Sequence, residues 1–337
     1  MRSARRIAFA GMTTAMLMGT SLTGASSALA MSGSVTGRQA AAPQERQATI
    51  CFQPPRMGFA GAIRDIDDPT AAQEIAQQDS LLQALQQRAG LYTRLRIPGR
   101  PNELHASFPT GSVTIPVYVH DIYDPADPST KLSLSQILSQ ITLLNRAFAG
   151  GGPSAPTAFK FELKNPFNPN LHIADADLFQ APVDGDLVRE AKQRLHVGGM
   201  NTLNLYYSQA RQTQGEPLLG QATYPTNDNL AQDGVIDAYD SIAGARDGTM
   251  DGDTVVHEVG HWLGLYHTFE NGCAAPGDYV EDTPPEAWAA QGCPEQFDLH
   301  NYMDYVDDGC MDRFTPGQAQ RMADSWAGFR MPVPNGS

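Results

Sequence analysis

The segment that most constrains the fold is TVVHEVGHWLGLYH, at residues 254–267. His257 and His261 are four residues apart, so an α-helix places both imidazoles on one face, where they can bind the same ion. Asp253 or Thr254 is a suitable N-cap for this helix. The segment therefore predicts a short helix with a pair of metal-binding side chains.

Gly264 and His267 extend this pattern beyond the helix. Glycine adopts the left-handed conformation readily, so Gly264 is expected to end the helix in a sharp turn. That turn allows His267 to approach the other two histidines as a third ligand. Three neutral imidazoles leave one position of a tetrahedral Zn²⁺ open to water, which is typical of catalytic rather than structural sites. The alternative is an ordinary core helix with hydrogen-bonded histidines.

Glu258 follows the first histidine directly. Zinc lowers the pKa of a bound water to about 7. A carboxylate at this position can accept the proton of that water and pass it to a leaving amine. The sequence therefore predicts one catalytic Zn²⁺ with Glu258 as general base.

The charge balance limits the partners that the chain can bind. It contains 23 Lys+Arg against 37 Asp+Glu, for a net charge of −14. Such an acidic chain is unsuited to nucleic acid or to an anionic membrane surface. A hydrophobic content of 41% indicates a globular protein. We expect protein or peptide substrates, with no nucleic acid and no membrane as partner.

The N-terminus has the layout of a secretory signal peptide. Three arginines stand among the first six residues, an apolar stretch follows, and Ala28-Leu29-Ala30 supplies a cleavage site. We assign residues 1–30 to this signal in preference to an uncleaved anchor. The protein is then expected to be secreted and extracellular, where disulfides persist.

Residues 31–105 are read as a prosegment, and residues 106–337 as the catalytic domain. The first of these stretches holds one predicted helix, Thr70 to Arg88, but little other apolar surface, which argues against a small independent domain. In the second, apolar periodicity predicts strands at 112–119, 159–163 and 202–207, and helices at 133–148 and 185–195. This order predicts an α+β fold in which helices pack on a mixed sheet.

Several segments together resemble one known family. They are HEVGHWLGLYHTF at 257–269, GDYVEDTP at 277–284 and NYMDYVDDGCMDRFT at 301–315, with weaker matches at 115–123, 144–150 and 219–225. The chain resembles the pappalysin family of metzincin zinc metallopeptidases, whose ulilysin-like members are secreted proteases. An astacin fits less well, because it has glutamate where this chain has Thr268. The resemblance implies a twisted mixed sheet with active-site and backing helices, and an irregular lower subdomain with a C-terminal helix.

The resemblance also implies roles for single residues. Met303 would form the Met-turn, an apolar floor beneath the metal. Tyr305 would stabilise the oxyanion of the tetrahedral intermediate. The expected function is a zinc endopeptidase made as a latent precursor. A non-catalytic peptide-binding protein on the same scaffold, or a zinc hydrolase acting on something other than peptides, is the alternative.

A structural calcium site is implied by the segment GDYVEDTP. Its expected oxygen donors are Asp278, Asp282 and Thr283, since calcium prefers hard oxygen ligands. A solvated surface loop is the other interpretation of these acids.

Substrate preference is implied by Asp308, five residues after the methionine. In ulilysin-like proteins an acid at this place lines the S1′ pocket, and a carboxylate there favours arginine, or lysine, at P1′. An exposed acidic turn is the alternative.

The remaining implications concern the cysteines Cys51, Cys273, Cys293 and Cys310. The family pattern implies a Cys293–Cys310 disulfide and leaves Cys273 without a local partner. Cys51 would maintain latency, with its thiolate at the fourth zinc position and the prosegment as an intramolecular inhibitor. A Cys51–Cys273 disulfide and an inert thiol are the alternatives.

Overall fold

A computed structural model of the 337-residue chain describes residues 70–88, 105–213, 215, 217–225, 230–245, 251–289, 291–293 and 298–332. All of them belong to one compact unit, residues 48–337. The predicted signal peptide, Cys51 and much of the predicted prosegment lie outside the described residues. In the described ranges, no helix is long and apolar enough to cross a membrane.

The described residues contain eight strands and six α-helices. The strands are β1 Val113–Tyr123, β2 Phe159–Leu163, β3 His172–Ala174, β4 Leu203–Ser208, β5 Gly220–Ala222, β6 Val235–Ala238, β7 Glu286–Trp288 and β8 Gln291–Gly292. The α-helices are α1 Ala71–Gln87, α2 Leu134–Ala149, α3 Ala176–Phe179, α4 Asp186–Leu195, α5 Thr254–Trp262 and α6 Pro316–Ser325. A π-helical turn, Trp326–Arg330, continues α6.

The first six of these strands form one sheet in the order β2-β1-β4-β6-β5, and β3 pairs with the far end of β1. The pairs are parallel, except that β5 runs antiparallel to β6 at the edge. Ile115, Val117 and Val119 alternate with less buried residues along β1 and are 0–1% exposed. The mixed sheet predicted from the sequence is therefore confirmed, together with β1, β2, β4, α2 and α4.

One large apolar core joins the sheet to the helices. It contains side chains from β1, from α2, from α5 and from the C-terminal segment, among them Phe148, Trp262 and Trp326. Ser133 and Gln136 form a capping box at the start of α2, and Thr315 and Gln318 form one at the start of α6. Helix α5 packs against β5 and β6, so the histidine-bearing helix lies next to the sheet edge.

The C-terminal turn holds the end of α5 through a buried arginine. Arg330 is 1% exposed, its Nε donates to the carbonyl oxygen of Trp262 at 2.6 Å, and its guanidinium stacks 3.6 Å above the Trp262 ring. Asp233 accepts from both terminal nitrogens of Arg330, at 2.9 and 3.0 Å. This paired charge fixes residues that are distant in sequence against one another.

Helix α1, predicted within the prosegment, is present and packs on the C-terminal helix. Leu81 and Leu85 join Ala327 and Phe329 in a second apolar cluster. Arg88 Nη1 donates to the carbonyl oxygens of Ala327 and Met331, at 2.5 and 2.9 Å. This part of the predicted prosegment therefore shares a core with the catalytic domain.

The cysteine pairing differs from the prediction. Cys273 and Cys293 form a disulfide, with 5.8 Å between their Cα atoms, so the predicted Cys293–Cys310 pair is wrong. The hairpin of β7 and β8 turns the chain back, and the Cys293 amide donates to the Pro285 carbonyl at 3.2 Å. That return brings Cys293 to the loop that contains Cys273. Among the described residues there is no free cysteine thiol.

Candidate metal centre

Three histidine nitrogens converge on one point beside helix α5. The Nε2 atom of His261 lies 2.9 Å from that of His257 and 3.0 Å from that of His267, and the third separation is 3.2 Å. Gly264 has a φ of 96°, and the Leu265 amide donates to the Gly260 carbonyl oxygen at 3.0 Å. The helix thus ends in the predicted left-handed turn, which directs His267 back toward the other two histidines.

The other ring nitrogens show that this cluster fits a cation. His257 Nδ1 donates to the Tyr302 carbonyl oxygen at 2.7 Å, and His261 Nδ1 donates to the Leu265 carbonyl oxygen at 2.8 Å. A neutral imidazole with Nδ1–H directs its Nε2 lone pair away from that bond, so the lone pairs face one another. Zinc–nitrogen bonds of about 2.0–2.1 Å in tetrahedral geometry separate two nitrogens by about 3.4 Å, close to the observed separations. Among the described residues, these three buried histidines are the one set of potential metal ligands (His, Cys, Asp or Glu side chains) whose ligand atoms lie close enough together to hold a metal ion.

Glu258 lies on the same helix and is 3% exposed. Its carboxylate faces strand β5, beside Gly220. The structure therefore places a buried carboxylate on the helix that carries the first two histidines, directly after His257.

Met303 and Tyr305 also reach this centre. Met303 is fully buried and its sulfur packs against Gly260, in the turn of α5 between the first two histidines. The Tyr305 ring centroid lies 4.7 Å from that of His267 and 5.5 Å from that of His257. The Thr268 amide donates to the Met303 carbonyl oxygen at 3.1 Å, which ties the third-histidine loop to this turn.

Asp308 lies at the entrance to α5. It is 8% exposed, and its Oδ2 accepts the backbone N–H groups of residues 251, 252 and 253, at 2.9, 3.0 and 3.2 Å. Burial raises the pKa of Asp308, although these three backbone donors favour its charged form. This carboxylate fixes the loop that leads into the histidine-bearing helix.

The predicted calcium ligands are only partly brought together. Thr283 Oγ1 lies 2.8 Å from both carboxylate oxygens of Asp278, and also 2.8 Å from the Val280 carbonyl oxygen. Burial raises the pKa of Asp278 to about 7. Asp282 instead accepts hydrogen bonds from Thr315 Oγ1 and the Gly317 amide at the start of α6, at 2.6 and 2.8 Å. Asp278 and Thr283 thus form one cluster, and Asp282 acts as a helix cap.

The sequence alone did not single out Tyr224, Asp237 or Glu286. Tyr224 Oη lies 2.8 Å from His261 Nδ1, and its ring contacts that of His261. Asp237 is 1% exposed in β6, and Glu286 is fully buried near Asp304. An acidic residue inside the otherwise apolar strand sequence VIDA was the one available signal for Asp237.

Comparison with known proteins places the chain in a family. The peptidase M43 profile described as "Pregnancy-associated plasma protein-A" matches residues 201–327. An extracellular metalloprotease of Pyricularia oryzae is 34% identical over 239 residues, which are 65% of this chain and 77% of that protein. The chain belongs to the pappalysin family of zinc metalloendopeptidases.

Other pappalysins and solved structures agree with this assignment. Extracellular metalloprotease 1 of Coccidioides posadasii is 41% identical over 154 residues, 41% of this chain and 54% of that protein, so the match spans about half of its length. Mature mirolysin of Tannerella forsythia with a cleaved peptide has a TM-score of 0.51 at 24% identity, covering 66% of this chain and 100% of that one. A promirolysin mutant from the same organism has a TM-score of 0.56 at 22% identity, covering 78% and 90%. These two structures establish the α+β metzincin fold.

Proposed function

We propose that the chain is a secreted zinc endopeptidase in which Glu258 is the general base. The observation that carries this proposal is the convergence of three buried histidine nitrogens beside a buried carboxylate on the same helix. His257, His261 and His267 would hold one Zn²⁺. When bound, the ion would supply Lewis-acid chemistry that makes water acidic enough to act as a nucleophile near neutral pH.

The protein's own side chains supply the rest of the chemistry. Glu258 would take the proton of the attacking water and return it to the leaving amine, a role that its position directly after His257 on the same helix supports. The Tyr305 hydroxyl would donate a hydrogen bond to the oxyanion. Met303 would keep the floor of the centre apolar and rigid. Exclusion of bulk water strengthens each of these polar interactions.

The test is hydrolysis of a denatured protein mixture, with every new N-terminus mapped. We expect Glu258→Gln to lower kcat/KM by about 10²–10⁴-fold, the usual contribution of general acid–base catalysis. Its zinc content should remain that of the wild type, since the histidines are unchanged. Glu281→Gln, at an exposed glutamate, is the matched control. Full activity of Glu258→Gln would refute the assigned base, and a zinc-loaded wild type without activity would favour the peptide-binding alternative.

Secretion and latency form a second part of the proposal. The relatives are named extracellular metalloproteases, and a promirolysin structure exists for a structural neighbour, which supports an exported precursor. We propose residues 1–30 as the signal, residues 31–105 as the prosegment and residues 106–337 as the catalytic domain. The thiol switch requires Cys51 to be reduced in the precursor. Cys51→Ala is then expected to yield a precursor that is active without maturation, and either a fully latent variant or peptide mapping that finds Cys51 in a disulfide would contradict the switch.

Substrate preference is proposed to depend on Asp308. Its Oδ2 is engaged by three backbone N–H groups, so Oδ1 is the oxygen that would face an arginine or lysine side chain at P1′. Asp308→Asn keeps the size of the side chain but removes its charge. We expect it to reduce the share of cuts before arginine, whereas Asp307→Asn, at an exposed neighbour, should not. An unchanged cleavage pattern in Asp308→Asn would contradict the assignment.

A structural Ca²⁺ is proposed at Asp278 and Thr283. Thr283 Oγ1 lies within hydrogen-bonding distance of both Asp278 carboxylate oxygens and of the Val280 carbonyl oxygen, and hard oxygen donors suit calcium. Calcium is expected to raise the unfolding temperature of the wild type but not that of Asp278→Asn. Asp282→Asn is the control, because it weakens the cap of α6 and should destabilise the protein with or without calcium.

A further inference from the structure

The carboxylate of Glu258 occupies the space where a side chain at residue 220 would stand. Gly220 lies in the edge strand β5, and a Cβ atom built on it would be 2.6 Å from Glu258 Cγ and 2.7 Å from Oε1. These separations are shorter than real Cβ contacts. The φ of Gly220 is outside the left-handed region, so its backbone does not require glycine. What requires glycine is the room taken by Glu258.

Asp237 borders the same space from the neighbouring strand. It is paired with Gly220 across β5 and β6, and its Oδ1 would lie 2.8 Å from the same Cβ position. Asp237 is 1% exposed. Neither of its carboxyl oxygens accepts or donates a hydrogen bond within the part of the chain that the structure describes. A buried carboxyl group without hydrogen bonds lowers the stability of the fold, so it is expected to have a partner such as a water or a substrate group.

The surroundings of Asp237 favour its neutral form. Burial raises its pKa well above the usual range. The next residue along this row of the sheet is Tyr207, paired with Asp237 across β4 and β6. Burial, with the nearby carboxyl groups of Asp237 and Asp121, raises the pKa of Tyr207 as well. In its neutral form the Asp237 carboxyl group carries one O–H donor.

We propose that Gly220 and Asp237 position the general base. Gly220 leaves the space in which the Glu258 carboxylate sits, and the Asp237 carboxyl group, which borders the same space, donates a hydrogen bond toward it through one water. This inference rests on the role proposed for Glu258 above. Both residues act through Glu258, so they are positioning residues rather than catalytic ones.

Gly220→Ala tests the first half of the proposal. The atoms nearest to the added methyl group belong to the side chains of Glu258 and Asp237, so these side chains should move aside while the fold and the zinc affinity are retained. The displaced base should lower kcat by about 10²-fold, the effect of misplacing a catalytic group by about 1 Å, with KM little changed. Gly199→Ala is the matched control, because its Cβ would meet only the Asn201 side chain, at 3.3 Å. Wild-type kcat in Gly220→Ala would overturn this half.

Asp237 is tested by two replacements of different chemistry. Asp237→Asn remains neutral and keeps an N–H donor, so it should retain kcat within about threefold. Asp237→Ala removes the donor and should lower kcat at least about tenfold, in the lower range of effects from losing a buried hydrogen-bond partner. KM and the zinc dissociation constant, measured by competition with a chelator, should stay at the wild-type values in both.

The outcomes separate this inference from the proposed function. An equal loss of kcat in Asp237→Asn and Asp237→Ala would overturn the neutral donor, and an active Asp237→Ala would overturn any positioning role. Loss of zinc affinity would mean a structural role and would also overturn it. Zinc-loaded wild type without hydrolysis, in contrast, would remove the proposed function itself.

Discussion

The histidine-bearing segment, residues 254–267, and the loop that follows it, residues 268–310, contribute to the same centre by different physical routes. In the first, helix periodicity and one left-handed glycine bring His257 and His261 together and return His267 to them. In the loop, Met303 and Tyr305 reach the centre through contacts with residues more than 35 positions away, such as Gly260 and His267, and the sequence spacing does not predict these contacts. Local rules therefore account for the metal ligands, whereas long-range packing accounts for what holds them.

That long-range packing reaches the third histidine from helix α1. Tyr266, next to His267, donates its hydroxyl to Gln77 Oε1 at 2.6 Å, and Asn271 Nδ2 donates to Glu74 Oε2 at 2.9 Å. Arg321 of α6 stacks on Tyr266 and donates from Nε to the Gly264 carbonyl oxygen at 2.8 Å. The loop thus rests on two helices from opposite regions of the sequence.

The sharpest test of the comparison removes one ligand from the local segment. His261→Ala is expected to abolish zinc binding and to lower kcat/KM by at least about 10³-fold, as losses of single members of a catalytic unit do. His300→Ala, in the loop, is the control, because that histidine donates to the Cys310 carbonyl oxygen and lies outside the cluster. Zinc content and peptide hydrolysis measure both variants. A zinc-loaded His261→Ala protein would show that the cluster is not the metal site.

The next largest effect is expected from weakening the packing of helix α1, which supports the loop. Leu85 is 2% exposed between α1 and the C-terminal turn. Leu85→Ala is expected to lower the free energy of unfolding by about 2–5 kcal/mol. Hydrogen exchange should accelerate in residues 266–277 more than in α5. Exposed Leu82→Ala is the matched control on the same helix, and equal exchange in the two variants would mean that α1 does not support the loop.

The disulfide provides a test inside the loop itself. Cys273 and Cys293 are separated by 20 residues, and a closure of this length stabilises a fold by about 3 kcal/mol. Replacing both cysteines by serine should lower the free energy of unfolding by that amount, as urea denaturation would measure. The histidine cluster should keep its zinc. Peptide mapping that finds Cys293 joined to Cys310 would contradict the pairing described above.

A further test of the same loop is a pH dependence of stability from Glu286. Burial first, and then the nearby charges of Asp304 and Asp298, raise its pKa to about 8, while Thr268 favours its charged form. The folded state therefore holds this proton up to about pH 8, whereas the unfolded chain releases it near about pH 4.3. The stability present below that lower pH is lost progressively as the pH rises to about 8.

Glu286→Gln removes this contribution. Between pH 5 and pH 8 the wild type should lose unfolding free energy relative to the variant, because only the wild type has the carboxyl group with the raised pKa. Glu281→Gln, at an exposed position, should follow the wild type. Parallel curves for wild type and Glu286→Gln would refute the shifted pKa.

The features that could be predicted from the sequence are those that local rules determine, and the features that could not are those that depend on long-range packing. The helix boundaries near Thr70, Ser133 and Thr315 were predictable, because capping side chains and apolar periodicity act within a few residues. So were the histidine cluster and the turn at Gly264. The short strands β3, β5 and β6 were not, because three or four residues carry no clear period and their pairing depends on the sheet.

Errors in the predicted site have the same origin. The Cys293–Cys310 pair failed because the β7–β8 hairpin changes which cysteine is near. Asp282 was grouped with Asp278 because the resemblance of the segment GDYVEDTP implied a shared calcium site, although the chain turns the Asp282 carboxylate to α6. Asp237 was overlooked because the residues that it faces, Gly220 and Glu258, lie on a different strand and on a helix, and the sequence does not show that these elements meet.

The contact between Arg88 and Ala327 affects the order in which the protein can fold during synthesis. It joins positions 239 residues apart in the chain. Synthesis at about 5–20 residues per second puts about 12–48 s between the appearance of α1 and that of the turn it packs against. His267 itself appears only 60 residues before Ala327, or about 3–12 s earlier at the same rate. Through that shorter interval the loop beside His267 lacks one of its two supporting helices, so the C-terminal turn completes the support of the metal centre after the third ligand has been synthesised.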